Sequence, residues 1–396
     1  MIRRIASVGI TLCLMIGVAL TGSASAAPKG SPIVIGLSIA ETGSEAIPTL
    51  VVGYREAVKE VNAVGGLRVG RVRHPVQLVV LDNRSSDSLL AEQVHTLVLS
   101  DHAVALVSGC CDLNVAEAPI ANALKIPLVG TAIPNELVEQ FNGQWAWNIF
   151  VNLFNPRLFS TVIPSLGTTD RKVAIVVSSD PEGQGASAVT KAEASQGGYD
   201  VVVNSAVPLG TTDFSSFIQE AKSSQAQVLV VQMPGPDCFN LWKQMKALGY
   251  VPKVALANQC GALPTWTQLG ALGNGALLGM NWTPTSGLPE AKKLAAVFNR
   301  VYRGDVIDQE SAVTAYTTME VLLDAITRAH STSPAAINAA IKKTNGAYPL
   351  GHIEFNSQHV WSGNTFLAQW QNKKVVQVYP PVPGTKVEFP PSGLGG

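Results

Sequence analysis

The histidines and the glycine-rich segments are the parts of this sequence that could carry enzyme, metal or cofactor chemistry. None of the histidines has the H-E-x-x-H spacing or another metal-binding spacing; the six are His74, His95, His102, His330, His352 and His359. The chain contains neither a G-x-S-x-G segment nor a G-x-x-x-x-G-K-S/T phosphate loop. Gly273-Asn274-Gly275 with Gly279 is only loosely similar to a dinucleotide fingerprint, and we interpret it as a turn into a strand. The sequence therefore predicts no enzyme active site, no metal site and no cofactor.

Four cysteines follow the N-terminal leader, and they could form disulfides in an oxidising compartment. None has the C-x-x-C spacing of a zinc site. Cys238 opens a predicted helix after one strand and Cys260 follows the next strand, so the two could lie within disulfide reach on neighbouring loops. Cys110 and Cys111 are adjacent, and they are either free buried thiols or a vicinal disulfide.

Along most of the chain, apolar runs of strand length alternate with amphipathic stretches of helix length. These predicted strands and helices must position the loops between them. The first series of predicted strands and helices comprises Ile33–Ile39, Leu50–Ala63, Val76–Leu81, Ser88–Leu99 and Val104–Val107. A second series begins after Trp147 and comprises Val173–Val177, Ala186–Ser195, Val201–Val203, Phe214–Ala221, Val228–Val231, Cys238–Leu248 and Val254–Ala257. This pattern is typical of βαβ units, and its restart predicts an α/β protein with two doubly wound parallel-sheet lobes.

The remaining C-terminal elements are too few for a third domain, so we expect them to complete the two lobes through a multi-crossing hinge. The predicted first lobe comprises residues 27–148 and 279–351, and the second comprises residues 149–278 and 352–380. Residues 381–396 are rich in proline and glycine and are expected to form a flexible tail.

Small and polar residues cluster where the predicted strands end. The loops are 41–45, 108–112 and 130–133 in the first series and 179–183 and 233–237 in the second. Ligands of doubly wound sheets bind at the carboxyl ends of the strands, where helix N-termini present free N–H groups. Equivalent loops in two lobes predict a ligand cleft between the lobes.

The N-terminus predicts export. Arg3 and Arg4 precede an apolar run from Ile10 to Leu20, and Ala24-Ser25-Ala26 fits a signal-peptidase site, so residues 1–26 are a predicted signal peptide cleaved near Ala26. The apolar run is shorter than the roughly 18 residues that a membrane span needs. Because Cys13 lies within this run, we expect a free periplasmic protein rather than a lipoprotein.

The charge balance argues against polyanionic partners. Lys plus Arg and Asp plus Glu number 28 each, without a basic block, so neither nucleic acid nor an anionic membrane is an expected partner. A small organic ligand is the better prediction. Removing 26 of the 396 residues leaves 396 − 26 = 370, which is too long for one compact core and again favours two domains.

Several motifs, in order along nearly all of the mature chain, make it resemble the leucine/isoleucine/valine-binding proteins, which are type I periplasmic solute-binding proteins. The most specific match is Glu56–Gly66, which is similar to the family's helix ending in I-N-A-x-G-G. The other matches are Ile35-Gly36 with Thr42-Gly43, Leu81-Asp82-Asn83, Ala118-Pro119 leading to Ile126-Pro127-Leu128, Asp180-x-x-Gly183-x-Gly185 and Gly210–Phe214. The resemblance implies a monomeric, non-catalytic, hinged receptor that delivers ligand to an inner-membrane ABC permease. A sensor module of the same fold, which signals instead of transporting, is the alternative.

The resemblance also assigns candidate ligand residues, of which several depart from the family pattern. Cys110-Cys111-Asp112 replaces the family's serine-bearing loop, and Val129–Ile133 replaces S-P-A-A-T, with Ile133 at the final threonine. Glu182 stands at the tyrosine of D-x-x-Y-G, and Cys260 at the acid that takes an ammonium group. The full candidate set is Glu45, Cys110, Cys111, Asp112, Thr131, Ala132, Ile133, Glu182, Pro234, Gly235 and Cys260.

These replacements bear on the identity of the ligand. A buried zwitterion needs an acid and hydroxyl partners, because unpaired buried charge is costly. The sequence therefore predicts a small organic ligand other than a branched-chain amino acid. Glu182 either lies on a solvated rim or accepts hydrogen bonds from the ligand.

Overall fold

The computed structural model describes residues 30–43, 46–109, 116–134, 143–151, 158–167, 170–262, 264–301, 306–361, 363 and 366–395. No helix within these ranges is both long enough and apolar enough to cross a membrane.

Seventeen strands occur in the described ranges. In chain order they are β1 (Ile33–Ile39), β2 (Leu67–Val69), β3 (Val72–His74), β4 (Val76–Asp82), β5 (Ala105–Val107), β6 (Leu128–Pro134), β7 (Ala146–Val151), β8 (Lys172–Ser178), β9 (Asp200–Val207), β10 (Val228–Gln232), β11 (Val254–Ala257), β12 (Leu277–Met280), β13 (Asn345–Tyr348), β14 (Gly351–Glu354), β15 (Val360–Trp361), β16 (Phe366–Gln371) and β17 (Lys374–Tyr379).

The α-helices of the same ranges are α1 (Pro48–Ala63), α2 (Asp87–Leu99), α3 (Glu117–Leu124), α4 (Pro181–Gln196), α5 (Ser215–Ser223), α6 (Gly235–Leu248), α7 (Asn258–Gly261), α8 (Ala291–Val301), α9 (Val306–Ala329) and α10 (Pro334–Ile341). An irregular helical segment covers Leu158–Val162 and Ile163–Ser165, and 3₁₀ turns cover Pro264–Gly273.

Two large sheets contain most of the strands. The first has the order β15-β7-β6-β5-β1-β4, and the second has the order β17-β16-β12-β11-β10-β8-β9. Within each sheet, the first five strands in the chain are parallel, and the first of them lies between the second and the third. This 2-1-3-4-5 arrangement is a doubly wound order. A sixth strand of the first sheet, β15, is also parallel to its neighbour β7. The prediction of two doubly wound parallel-sheet lobes is therefore confirmed.

Both faces of each sheet are covered, as parallel sheets require. In β8, Val173, Ile175 and Val177 pack into one core while Ala174 and Val176 pack into the core on the opposite face. This alternation follows from the two-residue period of a strand. The apolar run of β8 therefore specifies a strand buried on both sides.

Helices α1 and α9 form the main helical contact of the first lobe. Proline at the first position of α1 starts that helix, and Gly65 and Gly66, with φ of 92° and 91°, end it in the left-handed region. A Cβ on Gly53 would lie 2.0 Å from the carbonyl oxygen of Ala312, so only glycine allows this close approach of the two helices.

The chain passes between the cores of the two sheets three times. Ile149 packs in the first lobe and Leu158 in the second. Met280 packs in the second core, while Trp282, two residues later, is fully buried in the first. The third passage lies between Trp361, in the first core, and Phe366, in the second.

At two of the predicted lobe boundaries, the chain does not yet pass from one lobe to the other. All of β12 belongs to the second sheet, so that passage comes after Met280 rather than at 278/279. Ile353 and Trp361 pack in the first core, and β15 pairs with β7, so the boundary expected at 351/352 lies after Trp361. A two-residue strand has too little periodicity to be assigned from sequence.

The tail expected to be flexible packs against the second lobe. The side chain of Leu394 is 2% exposed in the second core, and its carbonyl oxygen accepts a hydrogen bond from Lys246 Nζ at 3.1 Å. The amide of Gln369 bonds Glu388 in both directions, donating to its carbonyl at 3.0 Å and accepting from its N–H at 2.8 Å. These long-range contacts hold Glu388 and Leu394 against the second lobe.

Cys238 and Cys260 form a disulfide, which confirms the predicted bridge. Their Cα atoms are 6.3 Å apart and both side chains are fully buried in the second core. Cys238 lies in the first turn of α6 and Cys260 in α7, so the bond joins the ends of two neighbouring strand-to-helix loops. Cys110 and Cys111 lie outside the described residues.

Removal of the Cys238–Cys260 bond should destabilise the protein. The bridge spans a sequence separation of 22 residues, so its loss should lower the free energy of unfolding by about 3 kcal/mol. Urea unfolding of the double variant Cys238→Ala/Cys260→Ala, beside oxidised and reduced wild type, measures this. Reduced wild type and variant should unfold at similar urea concentrations, and an unchanged midpoint in the double variant would contradict the expected contribution.

Candidate functional site

The carboxyl end of the first sheet begins with a loop that Asp82 holds in place. The Asp82 carboxylate accepts the backbone N–H of Glu41 at 3.1 Å and of Thr42 at 3.2 Å, and the Thr42 hydroxyl at 2.7 Å. Partial burial tends to raise the pKa of Asp82, but these bonds and the N–H of Arg84 together lower it below its ordinary value. Asp82 therefore stays ionised and fixes the loop after β1. Glu45 lies outside the described residues.

Thr131 lies at the carboxyl end of β6, but its side chain points into the first lobe. It is fully buried, and its hydroxyl lies 2.7 Å from the hydroxyl of Thr318 on α9. Because the Thr318 hydroxyl donates to the carbonyl of Thr314, the Thr131 hydroxyl is the donor in this pair. The Thr131 hydroxyl is thus already engaged within the lobe.

The backbone around Thr131 is irregular in a way that suits a binding edge. The pairing of β6 with β7 shifts register between Thr131 and Pro134, so Ala132 and Ile133 sit in an irregular strand end. Irregular pairing often occurs at strand ends beside binding sites because it redirects the chain. The N–H of Thr131 donates to the Ser108 hydroxyl at 3.1 Å, which ties β6 to the end of β5.

Glu117, in the first turn of α3, is a buried acid that sequence analysis missed. It is completely buried, and neither carboxyl oxygen has a hydrogen-bond partner among the described residues. Burial raises the pKa of Glu117 well above its ordinary value and so favours the protonated form. Acids are common in the first turn of exposed helices, and its position therefore gave no signal of burial. The preceding Cys110, Cys111 and Asp112 lie outside the described residues.

The second sheet presents Glu182 at its carboxyl end. Asp180 begins α4 by accepting the N–H of Gly183 at 2.7 Å, and this places Glu182 in the first turn. The Glu182 side chain turns toward the sheet, where Oε1 accepts a hydrogen bond from Gln232 Nε2 at 2.7 Å. Glu182 is 6% exposed, so it is a buried residue rather than part of a solvated rim.

Two buried amides lie beside Glu182 on neighbouring strands. Gln232 ends β10, and Asn258 follows β11 at the adjacent position. Gln232 Oε1 and Asn258 Nδ2 have no hydrogen-bond partner among the described residues. Pro234 and Gly235 begin α6 directly after β10, at the same edge. Glu182, the two amides and this helix start thus share the carboxyl edge of the second sheet.

Cys260, the last candidate ligand residue, has its sulfur bonded to Cys238 inside the second core. A disulfide sulfur carries neither a negative charge nor a proton to donate. The position that the resemblance matched to an ammonium-binding acid is therefore occupied by a buried, uncharged group.

Glu117 should make stability fall as the pH rises. The unfolded chain releases this proton near the ordinary pKa of 4.5, whereas the folded protein retains it, so the native state binds more protons above pH 4.5 and loses stability as the pH increases. One such proton corresponds to about 1.4 kcal/mol per pH unit. Glu117→Gln should flatten the dependence of the unfolding free energy on pH between 5 and 8.

The matched control for this measurement is Glu92→Gln, which removes an exposed carboxyl on α2. Denaturant unfolding at several pH values should give the control the same slope as the wild type. A Glu117→Gln variant that loses stability with pH as steeply as the wild type would contradict the assignment.

Comparison with known proteins finds relatives that are solute-binding proteins. A family model described as periplasmic binding protein matches residues 32–374. Leu/Ile/Val-binding protein homolog 7 of Brucella abortus is 22% identical over 349 residues, covering 83% of this chain and 86% of the relative. These relatives are solute-binding proteins rather than enzymes.

Solved structures share the fold. A leucine-binding protein from Thermotoga maritima superposes with a TM-score of 0.75 at 22% identity, covering 87% of this chain and 97% of that one. A solute-binding protein of an ABC transporter from Rhodopseudomonas palustris BisB5, in complex with 3,4-dihydroxybenzoic acid, gives 0.72 at 18% identity, covering 87% and 96%. With the family model spanning both sheets, the chain belongs to the periplasmic binding proteins, the solute-binding family that works with ABC transporters.

Proposed function

We propose that this protein is an exported receptor that closes around a small organic ligand and delivers it to an inner-membrane ABC permease. The observation that carries the proposal is the repetition of one 2-1-3-4-5 sheet in a single chain, with three passages between the two cores. Few connections between two separate cores allow the lobes to move as rigid bodies. Export through the leader at residues 1–26 and a monomeric state belong to the same proposal.

We further propose that the ligand is not a branched-chain amino acid. An α-amino acid carries an ammonium group, which needs a carboxylate or several acceptors when it is buried. Cys260 stands at the position expected to supply that acid, and its sulfur is in a disulfide. The hydroxyl of Thr131 is bound to the hydroxyl of Thr318. Two of the partners that such a ligand requires are therefore missing.

The second lobe offers acceptors at a different place, the start of α4 and the end of β10, rather than at the Cys260 position. Glu182 and Gln232 form a buried pair at the carboxyl edge, and Gln232 Oε1 has no donor among the described residues. Acceptors favour a ligand end that carries hydroxyl, amide or amine hydrogens, and the Glu182 carboxylate would repel an acidic group placed against it. Phenols such as 3,4-dihydroxybenzoate, which is bound to the relative from Rhodopseudomonas palustris, belong in the panel of trial ligands.

Calorimetry with wild-type protein separates these ligand classes. Leucine, isoleucine and valine should bind weakly or not at all, and a ligand bearing hydroxyl or amide hydrogens should bind tightly from a panel of short amides, polyols, amines and hydroxylated aromatic compounds. For the ligand that binds, Glu182→Gln should weaken affinity roughly tenfold or more, as expected for loss of a charged hydrogen bond.

The matched control is Glu193→Gln, the same change eleven residues further along α4 and so about three turns from the edge. This variant should bind with wild-type affinity. Tight binding of leucine by the wild type, unaffected by Glu182→Gln, would defeat both the proposed ligand class and the role of Glu182.

Ligand-driven closure is a separate expectation. Because the described residues show three passages between the lobes, saturating ligand should decrease the radius of gyration measured by small-angle X-ray scattering. A scattering curve that does not change when calorimetry shows the site to be saturated would argue against a closing receptor.

A further inference from the structure

The passage through Asn281 is the shortest described connection between the two lobes. Met280 belongs to the second core and Trp282 to the first, so the chain changes lobe across one residue. Any rotation of one lobe against the other must change the backbone here or immediately around it. The groups that hold this residue therefore influence the relative orientation of the lobes.

Glu310, near the start of α9, holds this passage. Its side chain is 8% exposed, and Oε1 accepts the backbone N–H of Asn281 at 2.5 Å. The N–H of Trp282 also donates to the carboxyl group. One carboxyl group of the first lobe thus binds both N–H groups that follow β12 of the second sheet.

The described side chains around the passage are polar but uncharged. Thr283 donates to Gln377 of β17 at 2.7 Å. On the other side, Gln309 donates to Asn299 of α8 at 2.7 Å. Among the described residues, no charged side chain contributes to the pKa of the Glu310 carboxyl, which is set by its burial and the two N–H groups.

These influences act in opposite directions. Burial raises the pKa of Glu310, and the N–H groups of Asn281 and Trp282 lower it, with the result at about 7. A hydrated glutamate has a pKa near 4.5. At neutral pH this carboxyl is therefore divided between its protonated and ionised forms, and each form interacts differently with the two N–H donors.

We propose that Glu310 is a positioning residue of the hinge, which fixes the Asn281–Trp282 passage to α9 and makes the orientation of the lobes depend on pH. This inference rests on the proposed function only in assuming that the lobes move. In the present conformation the carboxyl is buried, whereas a rotation that separates it from the passage would admit water to it. Between pH 4.5 and 7 the buried form binds more protons, so rising pH favours the hydrated form, by up to about two orders of magnitude in the conformational equilibrium.

The test uses ligand-free protein, so its outcome does not depend on identifying the ligand. Small-angle scattering between pH 4 and 8.5 should show a radius of gyration of the wild type that changes as the pH rises from 4.5 to about 7 and levels off above that. Glu310→Gln keeps an acceptor oxygen for the N–H groups but cannot ionise, and it should remove the change. Glu320→Gln is the matched control, because Glu320 is on the same helix and burial likewise raises its pKa to about 7, but it lies ten residues from Glu310.

Hydrogen exchange of the wild type gives a second readout that needs no variant. Protection of the Asn281 and Trp282 amides, corrected for intrinsic exchange, should fall as the pH rises from 4.5 toward 7. A radius of gyration that does not depend on pH, or one whose pH dependence persists in Glu310→Gln, would overturn the inference. If the radius of gyration depends on pH but does not decrease with ligand, this inference stands and the proposal of a receptor that closes on its ligand fails.

Discussion

Parallel strands must be joined by connections that cross a face of the sheet, and this requirement determines most of the structure. Each connection must return across one face of the sheet, so both faces become buried and every strand-to-helix loop collects at the carboxyl edge. The close packing that results is visible at Gly36 of β1, where an added Cβ would lie 2.7 Å from a methyl carbon of Leu106. Repeated in two lobes, this constraint creates two edges rich in polar loops. The described residues pass between the two lobes three times.

Three buried carboxyl groups differ in the hydrogen-bond donors that surround them. Glu182 is paired with an amide donor from Gln232, Glu310 with two backbone N–H groups, and Glu117 with no described partner. A buried acid without donors remains protonated, whereas donors restore part of the stability of its ionised form. Burial without a described donor thus raises the pKa of Glu117 well above its ordinary value, whereas burial opposed by two N–H donors gives Glu310 a pKa of about 7.

The sequence predicted the elements well where local periodicity decides them. The strand Ile33–Ile39 and the helix ending at Ala63 match the structure, and the two strand-to-helix loops correctly suggested the Cys238–Cys260 bond. Non-local contacts were not predictable. The pairing of β15 with β7 and the packing of Leu394 depend on partners more than a hundred residues away, and so does the Thr131–Thr318 bond.

The candidate site was therefore located by its edges more reliably than by its individual side chains. Glu182 and Pro234–Gly235 lie at the carboxyl edge of the second sheet, whereas the sulfur of Cys260 is bonded within the core. Native mass spectrometry of protein purified without denaturation would show whether a ligand of the proposed class is bound. We expect a bound small organic molecule with hydroxyl, amide or amine hydrogens, released on unfolding; bound leucine, isoleucine or valine would contradict the proposed ligand class.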